Sequence, residues 1–436
     1  MQAGGGAGAS GAANPAGALD AYTHRYLARA AGVERVRPGE EVWAEVHLAY
    51  MHDSTGPRRI AEPLRELGDR LADAGRVHLF TDHFVPASTP DTAALVRDAL
   101  AWGRGHGVHV HDMEGISHQV VLEEGLARPG EVVVGADSHS LTGGAVGAVA
   151  IGVGSSDLIG AVRLGKIWLE VPEAVEIRWE GRPPDGVTAK DMMLATLARV
   201  PAAEVENTSC EWAGDAVYGL ELSERAVLAN MGAELGVVSS LVPADRLVCE
   251  HLGVDPALFA DAPPPAPEAY ARRWRWTADD LEPFVALPHS PRNGCPVAEA
   301  AGTPITHAYI GSCVGARLSD LHQAARVLRG RRVAPGVTLL VAPASRRVLS
   351  AAAADGTLTV LLEAGATLLP TACGPCAGLG GGVLPPGAVC VSTTNRNFRG
   401  RMGSPEAAVY LGSSYTTAWS AVRGALADPR EALAHA

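Results

Sequence analysis

Cys373-Gly374-Pro375-Cys376 places two thiols three positions apart, able to converge on one metal centre or to close a strained disulfide. The same four residues serve as a thiol-redox motif where they open a helix. Here Ala377-Gly378-Leu379-Gly380-Gly381-Gly382 follows, a poor helix former, which argues against redox exchange. A structural zinc site would need a second knuckle of nitrogen or sulfur ligands, and none is paired with this one. Cys313, in Ile310-Gly311-Ser312-Cys313, is the third thiol to weigh. It sits in a Gly-Ser turn directly after an apolar strand, and a helix starting behind it would favour its thiolate. Cys210, Cys249, Cys295 and Cys390 read as small buried hydrophobes. Three thiolates on an iron-sulfur cubane leave one iron without a protein ligand, open to substrate as a Lewis acid.

Around these thiols the chain offers acid, base and anion-binding groups. Asp82-His83, Ser117-His118, Asp137-Ser138-His139 and the segment Asn230 to Glu234 carry polar side chains next to apolar runs. A carboxylate beside a histidine fixes its tautomer or raises its pKa, making it a proton donor for a departing hydroxide. Taken alone, such a dipeptide is more often a cap or surface feature. Asp137-Ser138-His139 is not a hydrolase triad, because neighbours on an extended chain point to opposite faces. His106, His109 and His111 fit a strand with polar residues on one face and are left out of the site. The run Asn395 to Arg401 holds three arginines, Arg396, Arg399 and Arg401, whose planar guanidinium groups suit carboxylates. The competing reading is a solvated basic loop, which is how Arg272-Arg273-Trp274-Arg275 and Arg329-Gly330-Arg331-Arg332 are taken.

Elements must position these groups. Val77–Phe80, Glu131–Val134, Thr338–Val341 and Ala388–Val391 read as short strands, alternating with helical patterns such as Leu318–Leu328 and Pro405–Leu411. That alternation indicates α/β layers with largely parallel sheets, whose sites form outside the carboxyl ends of strands. The polar motifs follow strands in that way. The glycine-rich stretch Gly143 to Gly154 lacks the third glycine of a dinucleotide fingerprint and is read as permitting close packing behind Asp137. At 436 residues the chain has room for several domains. A Gly/Ala tail to about residue 18 has no periodic apolar pattern and is expected to be disordered. Prolines from Asp261 to Glu268 mark a linker. The expected units are 1–33 as tail and lead-in, 34–172, 173–290 and 291–436. No stretch approaches the ~18 apolar residues of a membrane span, and no export signal is visible, so the chain is expected in the cytoplasm. Seven cysteines, an odd number, argue for free thiols or metal ligands. The net charge of -12, from 36 basic and 48 acidic residues, gives no general attraction for nucleic acid or anionic lipid.

Val134 to Ser140, Ile310 to Cys313, Cys373 to Cys376 and Ser392 to Arg401 resemble, in order, the signature segments of aconitase-family dehydratases, and the similarity runs from about residue 34 to 424. The resemblance implies an aconitase-type three-domain α/β/α core without the swivelling fourth domain. It implies a 4Fe-4S cluster held by Cys313, Cys373 and Cys376, whose fourth iron takes the substrate's hydroxyl and carboxylate. It makes Asp82, His83, His118, Asp137, His139 and Glu234 the catalytic candidates, and Ser138, Asn230, Asn395, Arg396 and Arg401 the substrate-binding ones. Arg399 falls at a variable position. After Cys313 the family has Thr-Asn-Gly-Arg, whereas this chain reads Val314-Gly315-Ala316-Arg317, which removes an amide and a hydroxyl near the cluster. The family's serine base lies in the further domain, so a separate small subunit carrying it is expected. The implied activity is dehydration and rehydration of a small hydroxy-di- or tricarboxylate: isopropylmalate first, then homoaconitate, dimethylmalate or another alkylmalate. A cluster-free regulatory or RNA-binding relative is the alternative of another class, and the acidic charge argues against it.

Overall fold

The computed structural model describes residues 20–255 and 263–434. The glycine-rich tail lies outside the described residues, as does part of the proline-rich linker. Among the described residues no helix is long and apolar enough to cross a membrane.

Strands fall into four sheets. The first unit holds β1 (Glu41–Glu45), β2 (Leu48–His52), β3 (Val77–Thr81), β4 (His109–Asp112), β5 (Val132–Gly135), β6 (Val149–Gly152) and β7 (Lys166–Glu170). Five of them form a sheet of order β4-β3-β2-β5-β6, parallel throughout, while β1 and β7 pair as an antiparallel ribbon. Its central strands β2, β3 and β5 are buried along their whole length, which is why they read as continuous apolar runs. The second unit has β8 (Ala174–Glu180), β9 (Ser209–Ala213), β10 (Ser239–Leu241) and β11 (Arg272–Thr277), again all parallel, in the order β10-β9-β8-β11.

The third unit has β12 (Phe284–Ala286), β13 (Gly294–Pro296), β14 (His307–Ile310), β15 (Thr338–Val341), β16 (Thr367–Leu368), β17 (Val389–Ser392) and β18 (Ala408–Leu411), in the order β13-β12-β18-β17-β14-β15-β16. Its first strand precedes the boundary expected at 291, because β12 pairs antiparallel with both β13 and β18. Pro405–Leu411 is not helical as expected: Ala408-Val409-Tyr410-Leu411 is β18, in parallel register with β17. Val409 and Tyr410 fit a pleated, half-buried surface, and pairing with β17 overrides the helical preference of the alanines. The lead-in before residue 34 contains a helix, Tyr22–Ala31, closed by Gly32 in the left-handed conformation and burying Leu27 against the first sheet's core.

The first and third units meet directly at the site. Ile116 N–H donates to the Ala344 carbonyl at 2.9 Å, Arg346 N–H to Glu114 at 2.8 Å and Cys373 N–H to Asp82 at 2.8 Å. A shared apolar core joins the second unit's Trp179 and Trp212 to the third unit's Tyr309 and Leu411. The catalytic candidates are therefore carried by loops pinned between rigid layers.

Candidate functional site

Each strand of the first sheet that points at the third unit ends in a polar turn. β3 runs into Asp82-His83, which Asp53, beyond the end of β2, anchors by accepting from the N–H groups of His83 and Phe84 at 3.1 and 2.8 Å. Asp82 is fully buried and accepts from three sides. His83 Nδ1 lies 2.7 Å away, His52 Nδ1 3.1 Å away, and the Ser117 N–H, at the start of helix Ser117–Glu123, donates at 2.8 Å. Burial alone would raise the Asp82 carboxyl, but His52 and His83 outweigh it and hold it well below the usual range. Burial likewise works against a charged His83, yet the Cys373 sulfur and the Asp82 carboxylate hold it well above 6.5, as an imidazolium at neutral pH. Its side chain keeps 13% exposure while His52 keeps none, so His83 is the member of the pair that a ligand can reach.

A second relay follows β5. Asp137 Oδ1 accepts from His139 N–H at 2.8 Å and faces His118 Nε2 at 3.1 Å. His118 Nδ1 is closed off by Tyr50 Oη at 2.9 Å. Burial lowers the His118 pKa despite Asp137, leaving it neutral, whereas Glu234 and Asp137 overcome burial and raise His139. Glu234, in the short helix Gly232–Leu235, shares Oε1 between His139 Nε2 at 3.2 Å and Arg396 Nε at 2.7 Å. The Gly152 reading holds in detail: a Cβ there would sit 2.6 Å from the Asp137 carbonyl, so glycine is what lets β6 pack behind the relay. Ser138 is exposed at the head of the 3-10 segment Ser138–Val146 and is the open member of its motif.

The three thiols close the site from the third unit. Cys373 precedes and Cys376 lies within a single 3-10 turn, Gly374–Ala377, after β16, and Cys313 follows β14. The helix expected to start directly behind Cys313 begins only at Leu318. Side-chain amides take its place: Asn230 Nδ2 stands 3.1 Å and Asn395 Nδ2 3.5 Å from Cys313 Sγ. Asn230 and Asn395, expected at the substrate, are thus buried against a sulfur and against each other at 3.1 Å. Cys376 Sγ donates to Asn395 Oδ1 at 3.7 Å, the nearby Arg401 guanidinium works to lower its pKa, and Arg401 keeps a buried Nε without a partner. Burial pushes Cys373 up to about 11 and raises Cys313 and Cys376 too; Cys376 and Cys373 add to the shift of Cys313, while Arg401 and Lys190 work against that of Cys376. Such thiols ionise when a metal compensates them.

The donor set suits a polynuclear group better than one ion. Two thiolates at ~2.3 Å from a single zinc lie at most about 4.6 Å apart. Among the described residues, the groups whose ligand atoms all lie within 4.8 Å are His52/Asp82/His83 and His118/Asp137/His139, and the three sulfurs are not such a group.

Every site candidate read from the sequence therefore lies at this junction, with Arg399 exposed outside it. Sequence reasoning missed four participants. His52 follows an apolar strand and precedes Asp53, the same signal as Asp82-His83 and equally readable. Tyr50, Tyr309 and Lys190 carry no local signal. Tyr309 packs its hydroxyl over Gly311, with the three cysteine sulfurs raising its pKa further after burial. Lys190 is one of only two lysines in the chain.

Comparison with known proteins agrees with this arrangement. The chain is 41% identical over 413 residues to the 3-isopropylmalate dehydratase large subunit 1 of Methanopyrus kandleri, covering 94% of this chain and 98% of that one. It is 44% identical over 399 residues to the homoaconitase large subunit of Thermus thermophilus, covering 91% and 94%. Among solved structures, Thermococcus kodakaraensis aconitase X aligns over 90% of this chain and 95% of that one, with 13% identity and a TM-score of 0.49. The sequence model of the aconitase family (aconitate hydratase) matches residues 29–424, a span that holds all three thiols, both histidine relays and the arginine loop, so the chain belongs to the aconitase family.

Proposed function

We propose that this chain is the large subunit of a two-subunit hydro-lyase that holds a 4Fe-4S cluster on Cys313, Cys373 and Cys376 and interconverts 2- and 3-isopropylmalate by dehydration and rehydration. The observation that carries the reading is the junction itself: three thiols, Cys313 and Cys376 buried and Cys373 half-buried, facing a cationic His83 and the Arg396/Arg401 loop across two packed sheets. When bound, the cluster supplies a Lewis acid at the iron that lacks a cysteine, polarising the hydroxyl to be lost.

The chain's own residues do the rest. His83, kept protonated by buried Asp82, presents a proton to the departing hydroxide. Arg401, with its orphan Nε, and Arg396 orient the carboxylates. Ser138, exposed next to Asp137 and His139 in the chain, adds a hydroxyl. Asp137 and Glu234 hold His139 charged and complete a positive wall around a dianion or trianion. We assign proton abstraction from carbon to a base outside these residues: Asp82 and Asp137 are engaged with histidines, and Glu234 holds His139 and Arg396 through Oε1, its buried Oε2 being without a partner. His118 is sealed between Tyr50 and Asp137. The base is assigned to a small subunit, in keeping with relatives that are themselves large subunits.

The 44% identity to a homoaconitase large subunit supports a second reading, a homoaconitate-type tricarboxylate. Turnover by the anaerobically reconstituted pair on 3-isopropylmalate, other alkylmalates and homoaconitate separates the two. Isopropylmalate is expected to give the highest kcat/KM, and a preference for homoaconitate replaces the first reading by the second.

A further inference from the structure

Lys190 and Arg317 are buried cations near the thiols, and Lys190 is the one whose ammonium is held by the loop that carries Asn395. It opens helix Ala189–Arg199, whose start is fixed by a reciprocal cap: Thr188 N–H and Oγ1 donate to Asp191 Oδ2 at 2.8 Å each. That cap aims the lysine inward, where it retains 4% exposure. Its ammonium donates to the Thr394 carbonyl at 2.6 Å and the Thr393 carbonyl at 3.2 Å, and rests 3.4 Å from Met231 Sδ. Those two carbonyls immediately precede Asn395, whose amide reaches Cys313. Met231 follows Asn230, the other amide on that sulfur.

Burying an ammonium against two neutral carbonyls and a thioether is costly unless negative charge stands nearby. The charges closest in effect are Glu234, Cys376 and Cys313. A neutral methionine or leucine would fill the volume without that cost. Glu234 and Asp320 supply part of that charge, and thiolates at Cys376 and Cys313 would supply the rest.

We propose that Lys190 is a positioning residue for the metal centre: it supplies a fixed positive charge behind the Cys313 and Cys376 thiolates and clamps the Thr393–Asn395 loop that hydrogen-bonds them. This rests on the cluster assignment above. Removing a cation beside a cluster disfavours its reduced, more negative state, so the potential moves down.

The test is a redox titration of the anaerobically reconstituted full chain, followed by electron paramagnetic resonance, together with iron and sulfide content after a fixed exposure to air. Lys190→Gln keeps a donor without the charge, Lys190→Met removes both, and Lys190→Arg keeps the charge. Expected are midpoint potentials shifted to more negative values and several-fold faster iron loss for the Gln and Met variants, with the Arg variant near wild type. Circular dichroism on each variant separates misfolding from this effect, and the Gln variant carries the test where the Met variant does not fold. Gln and Met midpoints equal to wild type overturn the role of Lys190 while leaving the cluster assignment intact. A wild-type chain that takes up no iron and sulfide overturns both.

Discussion

At the scale of single residues, the thiols and the arginines make the sharpest demands. Cys313 is supported by two amide N–H groups, partners that suit a thiolate, and the Arg401 charge favours a thiolate at Cys376. Cys313→Ser is expected to hold well under the wild-type complement of iron and sulfide after anaerobic reconstitution, measured by chemical assay of both. A full complement in the variant removes Cys313 from the ligand set. Arg401→Lys replaces a planar fork by a point charge and loses the buried Nε, so kcat/KM of the reconstituted pair should fall about 10–100-fold, the worth of one charge-assisted hydrogen bond at about 1.5–3 kcal/mol. Arg399→Lys, on the exposed side of the same loop, should stay near wild type. Equal losses for both would return the loop to a solvated basic segment.

At the scale of elements, the turns after β14 and β17 interlock, and the interlock explains the departure at Val314-Gly315-Ala316. A Cβ on Gly315 would lie 2.2 Å from Thr393 Cβ and 2.9 Å from the Thr393 carbonyl. Thr393 cannot yield, since its Oγ1 accepts from Gly311 N–H at 2.9 Å and donates to the Gly311 carbonyl at 2.9 Å. A side chain at 315 would clash with Thr393 as it stands in this chain, and Asn230 and Asn395 are the amides that reach the Cys313 sulfur. Gly315→Ala should cost about 1–3 kcal/mol in urea unfolding of the chain, the range for overpacking a filled site, and no change in midpoint would refute the contact. Helix Leu222–Asn230 carries a different strain. Burial, with Asp320, Glu221 and Asp191 nearby, raises the Glu224 carboxyl from 4.5 to about 7. The folded chain prefers it protonated, so its stabilisation is complete below pH 4.5 and is lost as pH rises through 7. Between pH 5 and 8 wild type should lose on the order of 2 kcal/mol more than Glu224→Gln, read by urea unfolding at both pH values; parallel losses would contradict it. These elements also show what a sequence discloses. Strand-end motifs such as Asp82-His83 and Asp137-His139 are legible because a parallel sheet delivers its carboxyl ends to one edge. Lys190 and Tyr309 are not, since their roles depend on which helix or strand backs the cysteine turns. Pro405–Leu411 misleads because pairing with β17, a tertiary fact, decides its state.

At the scale of the whole molecule, three sheets converge on one site, which on the proposed reading binds and polarises a substrate while a small subunit supplies the base. The first sheet brings the two histidine relays, the third brings the thiols and arginines, and the second holds Asn230 and Glu234 between them. The relays are tuned toward cationic His83 and His139, which suits donation to a leaving hydroxide and neutralisation of carboxylates. Histidines hold Asp82 and Asp137 well below the usual carboxylate range, and on the proposed assignment of the base to a small subunit, abstraction of the carbon-bound proton by this chain lacks the ~10²–10⁴-fold help of a positioned base. The chain alone, loaded with its cluster, is therefore expected to bind a hydroxydicarboxylate with little turnover. Adding a small subunit of about one domain's size should restore hydration and isomerisation while changing substrate affinity far less than rate. Calorimetric titration of the cluster-loaded chain with 3-isopropylmalate, set beside steady-state rates with and without the small subunit, measures both quantities. Robust turnover by the chain alone would place a base within these residues and reassign one of the three carboxylates or His118 to that task.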